Sequence, residues 1–184
     1  MLITNHGKVF ASFAINRGWA NRILLMDATD REILAVLQDE GRISLTDLAS
    51  RVHLSVSRCQ RRVRELEATG TIRGYRAVVD ADQMGFGFEV LGFATLEHAY
   101  DVSVFDDAVR DLPEVVEAQR LFGEPDYLLR IVTADLRAYQ QLYDTVLTRL
   151  PGLRGLNSTI VMKEIVPRRP LPASGSRGTA PVGG

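Results

Sequence analysis

Residues 55–66 read "SVSRCQRRVREL": four arginines and one acid in twelve residues, in a chain of 184 whose formal net charge is only −1. The apolar positions decide what this stretch becomes. Val56, Cys59, Val63 and Leu66 recur at spacings of 3, 4 and 3, which predicts a helix with one inward stripe. Ser55 is the expected N-cap and Gly70 the expected stop. Ser57, Arg58, Arg61 and Arg62 are read as lying away from the stripe, toward the exposed N-terminal half.

Working back toward the N-terminus, Thr29 or Asp30 caps a first predicted helix, with Ile33, Leu34 and Leu37 on one face and Gly41 as its end. A second, short helix begins at Thr46, with Leu48, Ala49 and Val52 inward. A short helix, a tight turn and a further helix make a helix-turn-helix, whose last helix enters the major groove of DNA. Charge supports this reading. Residues 55–76 hold six arginines against two acids, +4, whereas residues 27–54 hold three arginines against six acids, −3. A merely solvated surface helix does not explain that polarity. Arginine neutralises phosphate and binds guanine through two hydrogen bonds. The expected contacts to double-stranded DNA are Ser55, Ser57, Arg58, Gln60, Arg61 and Arg62, with Arg73 and Arg76 from "TIRGYRAVVD" (71–80), expected as a short strand or hairpin wing.

Beyond "DADQMGFG", a hinge assigned to residues 77–87, the period changes. Strands are expected at 88–98, 114–122, 126–134 and 156–166. Helices are expected from Asp101 (Phe105, Ala108, Val109 and Leu112 inward) and over 135–150 (Tyr139, Leu142, Tyr143, Val146 and Leu150 inward). This β-α-β-β-α-β order is ferredoxin-like. The expected class is α+β: a winged helix-turn-helix (26–76), then a ferredoxin-like domain (88–166). Several strands are apolar on both faces: Phe88, Val90, Ala94 and Leu96 alternate with Leu91 and Phe93. Only one face is needed for the two helices, so a second copy is expected on the other. Residues 1–25 read as a poorly ordered extension, basic through Lys8, Arg17 and Arg22. Residues 167–184, with four prolines and four glycines, read as a disordered tail.

The run "DATDREILAVLQDEGRISLTDLASRVHLSVSRCQRRVRELEATGTIRGYRAVVD" resembles the DNA-binding half of the Lrp/AsnC (feast/famine) transcription regulators. "LPEVVEAQRLFGEPDYLL", "LTRLPGL" and "TIVMKEI" resemble that family's effector-binding RAM domain. The likeness spans about residues 27–166. It departs at His53, in a turn where the family usually has glycine; histidine tolerates a left-handed backbone less well. The resemblance implies a regulator of transcription that binds DNA in a sequence-specific manner and whose assembly and DNA binding respond to a small effector, an amino acid. It also implies dimers joined into octameric rings. On residues alone, "LFGEPDYLL" reads as an ordinary hairpin turn. The resemblance makes it part of an effector pocket between dimers, lined by Leu121, Gly123, Asp126, Leu136, Thr159, Ile160 and Val161, with Glu124 and Tyr127 beside them.

The histidines, at 6, 53 and 98, are scattered, and neither metal-binding spacing nor a phosphate loop nor a nucleophile elbow occurs. No catalytic residue, metal or cofactor is therefore expected. The lone cysteine, Cys59, excludes an internal disulfide; on the apolar stripe it reads as a core residue. With no signal peptide recognised and no apolar run near the ~20 residues of a membrane span, a cytoplasmic protein on the bacterial nucleoid is expected. The rival reading is an architectural nucleoid protein with weak sequence preference, because the same arginines serve both.

Overall fold

The computed structural model describes residues 26–167 and 169–172. The expectations for the N-terminal extension and for most of the tail fall outside them. The chain forms two compact units: one runs to Arg76 and takes in residues 169–172, and the other spans Ala77–Pro167.

The first unit holds three helices: α1 (Ala28–Asp39), α2 (Leu45–Arg51) and α3 (Val56–Ala68). Each begins at a side-chain cap that satisfies a backbone N–H the helix leaves free. Asp27, rather than Thr29 or Asp30, caps α1 by accepting from the Asp30 N–H at 2.8 Å. The Asp30 carboxylate is engaged elsewhere. Ser44 caps α2 through the Asp47 N–H at 3.1 Å and donates its hydroxyl to the Asp47 carboxylate at 2.6 Å, so α2 starts one residue before Thr46. Ser55 caps α3, as the sequence predicts. Ile33, Leu48, Ala49, Val52, Cys59 and Leu66 are buried between the helices. Val56, expected inward, is 43% exposed because it opens the first turn. Burial pushes the Cys59 thiol pKa up, which holds it as a neutral core group.

The turn between α2 and α3 sets the direction of α3. His53 has φ 53°, in the left-handed region. Its N–H donates to the Ser50 carbonyl (3.3 Å), and the next N–H, of Leu54, reaches the Ala49 carbonyl (2.9 Å). This is the paired closure that usually recruits glycine. Residues 71–80, expected as a strand or hairpin wing, contain no strand. Instead Tyr75 donates its hydroxyl to Glu67 of α3 at 3.0 Å.

The second unit orders β1 (Phe88–Leu96), α4 (Val102–Arg110), β2 (Val115–Arg120), β3 (Tyr127–Thr133), α5 (Leu136–Thr145) and β4 (Leu153–Ile160). The four strands form one antiparallel sheet in the order β2-β3-β1-β4, the expected ferredoxin-like arrangement. Val90, Ala94, Leu129 and Ile131 on one sheet face bury against Phe105 and Val109 of α4 and Tyr139 of α5. Leu147, not assigned to the core in the sequence reading, is fully buried. α5 ends at Thr145, and a single tighter turn (Leu147–Arg149) follows it. β4 runs earlier than the expected 156–166, so Met162, read as a strand residue, is 97% exposed. On the other sheet face Leu91, Phe93 and Leu128 are half-buried, around a two-pronged ion pair between Arg130 and Glu89 (2.7 Å on both prongs).

The left-handed turn makes a direct prediction. Replacing His53 with glycine removes the steric cost of the left-handed backbone, on the order of 1–2 kcal/mol, against ~0.5–1 kcal/mol of extra chain entropy in the unfolded state. His53→Gly is expected to raise the thermal midpoint of the helix-turn-helix by a few degrees, and His53→Val to lower it; calorimetry of both variants checks this.

Candidate nucleic-acid interface and effector site

α3 presents Ser57, Gln60, Arg61 and Arg64 along one exposed stripe, with Arg58 beside it. These positions fall together because spacings of 3 and 4 share a helical face. Arg61 is loosely paired with Glu65 at 3.9 Å, both largely exposed; such a pair contributes little and yields readily to a stronger anion. Arg58 and Arg64 have no ion pair among the described residues. Arg73 and Arg76 are exposed on the segment after α3. Arg64 was not among the expected contacts; its signal in the sequence is that it follows Arg61 by three residues.

Arg62 departs from its assigned place. It lies three residues after buried Cys59 and four before buried Leu66, so it borders the core stripe rather than opposing it. Its side chain is 26% exposed, and its guanidinium bonds the carboxylates of Asp27 and Asp30, each at 2.7 Å. The Asp30 carboxylate raises the Arg62 pKa most, followed by that of Asp27. The Asp27 carboxyl is held below its ordinary value of 3.8, first by the Asp30 N–H and then by Arg62. One cap residue thus serves the helix end and the ion pair together. Arg62 ties the N-terminus of α1 to the middle of α3.

In the second unit the nine expected effector residues divide into two groups. Leu121, Gly123, Glu124, Asp126 and Tyr127 lie at or before the start of β3. Leu136, Thr159, Ile160 and Val161 lie at the opposite end of the sheet. The register shows this: Ala94 of β1 faces Tyr127 and Leu156, whereas Val90, four residues earlier, faces Ile131 and Ile160, and Leu136 opens α5 just after β3. At ~3.3 Å per residue, the length of β3 separates the groups by roughly 20 Å. One protomer does not bring them together.

Within the first group the side chains have local duties. Asp126 accepts the Leu96 N–H at 2.8 Å, its own N–H donates to the Ala94 carbonyl at 3.0 Å, and its carbonyl accepts from Leu121 at 2.7 Å. It closes the loop against β1 where the β1–β4 register shifts. Glu124 pairs with Arg154 at 2.6 Å. Gly123 has φ 133°, a backbone that side chains resist. Tyr127 is 3% exposed; its hydroxyl donates to Asp106 at 2.6 Å and accepts from Arg120 at 3.1 Å. Burial, with the Asp106 hydrogen bond next, pushes its pKa up. Tyr127 is therefore a core anchor under α4. At the other end, Leu136 and Ile160 are about half exposed, and Leu136 lines a shallow groove of about 270 Å³ between α5 and β4 together with Tyr139, Tyr143, Leu156 and Ser158.

Two family models match the chain. The family described as winged helix-turn-helix DNA-binding matches residues 26–73, and the one described as Lrp/AsnC ligand binding domain matches residues 92–171. The Bkd operon transcriptional regulator of Pseudomonas aeruginosa is 36% identical over 145 residues, covering 78% of this chain and 95% of that protein. The chain belongs to the Lrp/AsnC family. The leucine-responsive regulatory protein of Escherichia coli K12, another member, is 39% identical over 142 residues, 76% of this chain and 87% of that one. A solved transcriptional regulator from Neisseria meningitidis, in complex with L-methionine, superposes with a TM-score of 0.77 at 34% identity, covering 80% of this chain and 97% of that one. The Lrp/AsnC chain described here is thus a DNA-binding, effector-responsive regulator of transcription: a winged helix-turn-helix followed by a ligand-binding ferredoxin-like domain. Among the described residues no helix is long and apolar enough to cross a membrane, and no cluster of acids, histidine and cysteine is arranged to hold a metal.

Arg62→Ala is expected to destabilise the helix-turn-helix by about 1–3 kcal/mol, the scale of a charged hydrogen-bonded group leaving its partners, while Arg58→Ala leaves the melting temperature unchanged. Because Asp27 is held below 3.8 in the folded state, its contribution is complete above that value and is lost as pH falls through the lowered pKa. Acid melts of wild type and Asp27→Asn check the sign: the variant loses less stability between mildly acidic pH and pH below that value.

Proposed function

We propose that this regulator reads DNA with the exposed stripe of α3, using Ser55, Ser57, Arg58, Gln60 and Arg61, with Arg64 continuing the stripe and Arg73 and Arg76 contacting the adjacent backbone. The observation that carries this is the sorting of cations on α3. Arg58, Arg61 and Arg64 stay exposed, while Arg62 is committed to Asp27 and Asp30. The N-terminal half of the last helix is the part a helix-turn-helix directs at base edges. Arg62 then supports recognition through the position of α3.

The proposed effector is an amino acid, bound where the loop end of one sheet meets the β4 end of another copy. The relatives are leucine-responsive or methionine-bound. The separation of the two residue groups within a protomer favours a site completed by a second copy. The half-exposed apolar face of the sheet, Leu91, Phe93 and Leu128, is proposed to be covered by another copy too, giving a dimer that assembles further, to an octamer.

Arg61→Ala is expected to weaken operator binding by ~1–3 kcal/mol if it reads a base, with relaxed preference at one operator position. If it neutralises phosphate, affinity falls on all sequences and the salt slope drops by ~1. Equal affinity of wild type for operator and random DNA at every salt concentration identifies the architectural reading instead. For the effector, a thermal-shift screen of the amino acids selects the ligand, since binding to the folded state raises the midpoint. Asp126→Asn, which keeps an oxygen for the Leu96 N–H, and Thr159→Val are each expected to lose that shift. Mixed in equal amounts under exchange, they restore roughly a quarter of the sites if each site takes one end from each of two copies; a site within one protomer is not restored.

A further inference from the structure

The described residues beyond Pro167 do not stay with the second unit. Residues 169–172 belong with the helix-turn-helix, although their proline content reads as disordered tail. The contact is specific. The Leu171 N–H donates to Gln38 Oε1 at 2.7 Å, and Gln38 Nε2 donates to the Leu171 carbonyl at 3.3 Å. Gln38 lies in the last turn of α1. Its carboxamide pairs with both main-chain groups of one residue as a neighbouring strand does, reading main chain rather than side chain. The Leu171 side chain itself is 76% exposed.

The sequence prepares the segment for this. Leu171 stands between Pro170 and Pro172. Neither proline has an N–H, so Leu171 offers the only main-chain donor of the three, and the prolines hold the strand extended before it docks. Pre-ordering of this kind lowers the entropy lost on binding.

We propose that α1 carries a docking site for the main chain of residues 170–172, which makes them a strap that attaches the helix-turn-helix to the rest of the chain a second time. The first attachment is the connection at Arg76–Ala77; the second is Leu171 on Gln38. The occupant is the chain's own segment, because a proline-flanked single donor and a two-sided carboxamide match one for one. The strap gives the effector-binding unit a route to the recognition helix besides the 77–87 linker, through α1, which Arg62 ties to α3. The inference rests on the regulator reading only for this last consequence.

Leu171→Pro removes the donor and keeps the extended backbone; Leu171→Ala keeps the donor and removes an exposed side chain; Gln38→Met removes the carboxamide at similar length. Amide exchange of Leu171 in the full-length protein is the first measurement. It is expected to be slowed on the order of tenfold in wild type relative to Gln38→Met, the scale of two exposed hydrogen bonds, and to stay slow for the residue-171 amide of Leu171→Ala. The second measurement is the change in operator affinity on adding L-leucine. It is expected to shrink toward none in Leu171→Pro and Gln38→Met, and to be retained in Leu171→Ala. Equal exchange in wild type and Gln38→Met overturns the docking site, whatever the protein does with DNA. Slowed exchange with an undiminished leucine response in Leu171→Pro overturns the strap as a signalling route. If wild type itself shows no leucine response, the same comparison is made with the amino acid chosen by thermal shift. No response to any amino acid overturns the effector reading and with it the signalling role, leaving the docking site to the exchange result.

Discussion

The Arg62 guanidinium, held between Asp27 and Asp30, is the contact on which the DNA-reading half depends. α3 has few ways to be fixed in direction. Its apolar stripe is narrow, reaching full burial only at Cys59 and Leu66, and a narrow stripe lets a helix roll. An ion pair on the flank of that stripe opposes rolling, because a planar guanidinium between two carboxylates tolerates little rotation. Asp27 couples this to secondary structure, since its carboxylate also receives the Asp30 N–H at the head of α1. The three exposed arginines of α3 therefore project from a helix whose angle is set by the partners of the fourth, Arg62. Desolvation makes such a pair a modest source of net stability and a stronger source of specific geometry, which is what a helix presented to a groove requires.

Much of this was legible in the sequence, and the part that was not has a physical cause. Cys59 and Leu66 were readable as core because a 3.6-residue period leaves few alternatives, and Ser55 as a cap because a serine precedes the first helical turn. His53 was readable as a left-handed residue only through resemblance to a family with glycine there; composition alone does not mark it. Arg62 differs from its expected place because its charge points to the polar face, whereas its spacing, three residues after Cys59 and four before Leu66, puts it at the core's edge. The cap at Asp27 has a related cause: two acids stand near one helix end and both carboxylates meet Arg62, while the Asp30 N–H selects Asp27 as the cap. The strand expected at 71–80 needs a partner strand to form; the described residues supply Tyr75 with Glu67 instead.

The effector residues show a different limit. Resemblance named nine positions without saying that they form two groups at opposite ends of a sheet. Antiparallel pairing fixes that: once Ala94 faces Tyr127 and Val90 faces Ile160, no loop movement joins the ends. Tyr127 further separates itself from the group, because 3% exposure and hydrogen bonds to Asp106 and Arg120 make it part of the packing under α4. Its neighbour Asp126 has one carboxylate oxygen on the Leu96 N–H, which leaves the other available without requiring the loop to reorganise.

A site divided in this way has a thermodynamic consequence under the proposed function. A ligand that needs two copies to complete its contacts binds the assembled form better than the separated one by construction, and only such a difference shifts an equilibrium. Each bound ligand then favours the interface by the same free energy by which the interface favours the ligand. Changing how copies associate alters how many recognition helices face one DNA molecule and at what spacing, and so the effective concentration of each. Such a signal needs no deformation of α3, whose direction Arg62 holds. A main-chain contact between Leu171 and α1 adds to this rather than competing with it. Association changes the number of reading heads; under the proposed strap, a second attachment would shorten the search volume of each head and raise effective concentration in the same sense.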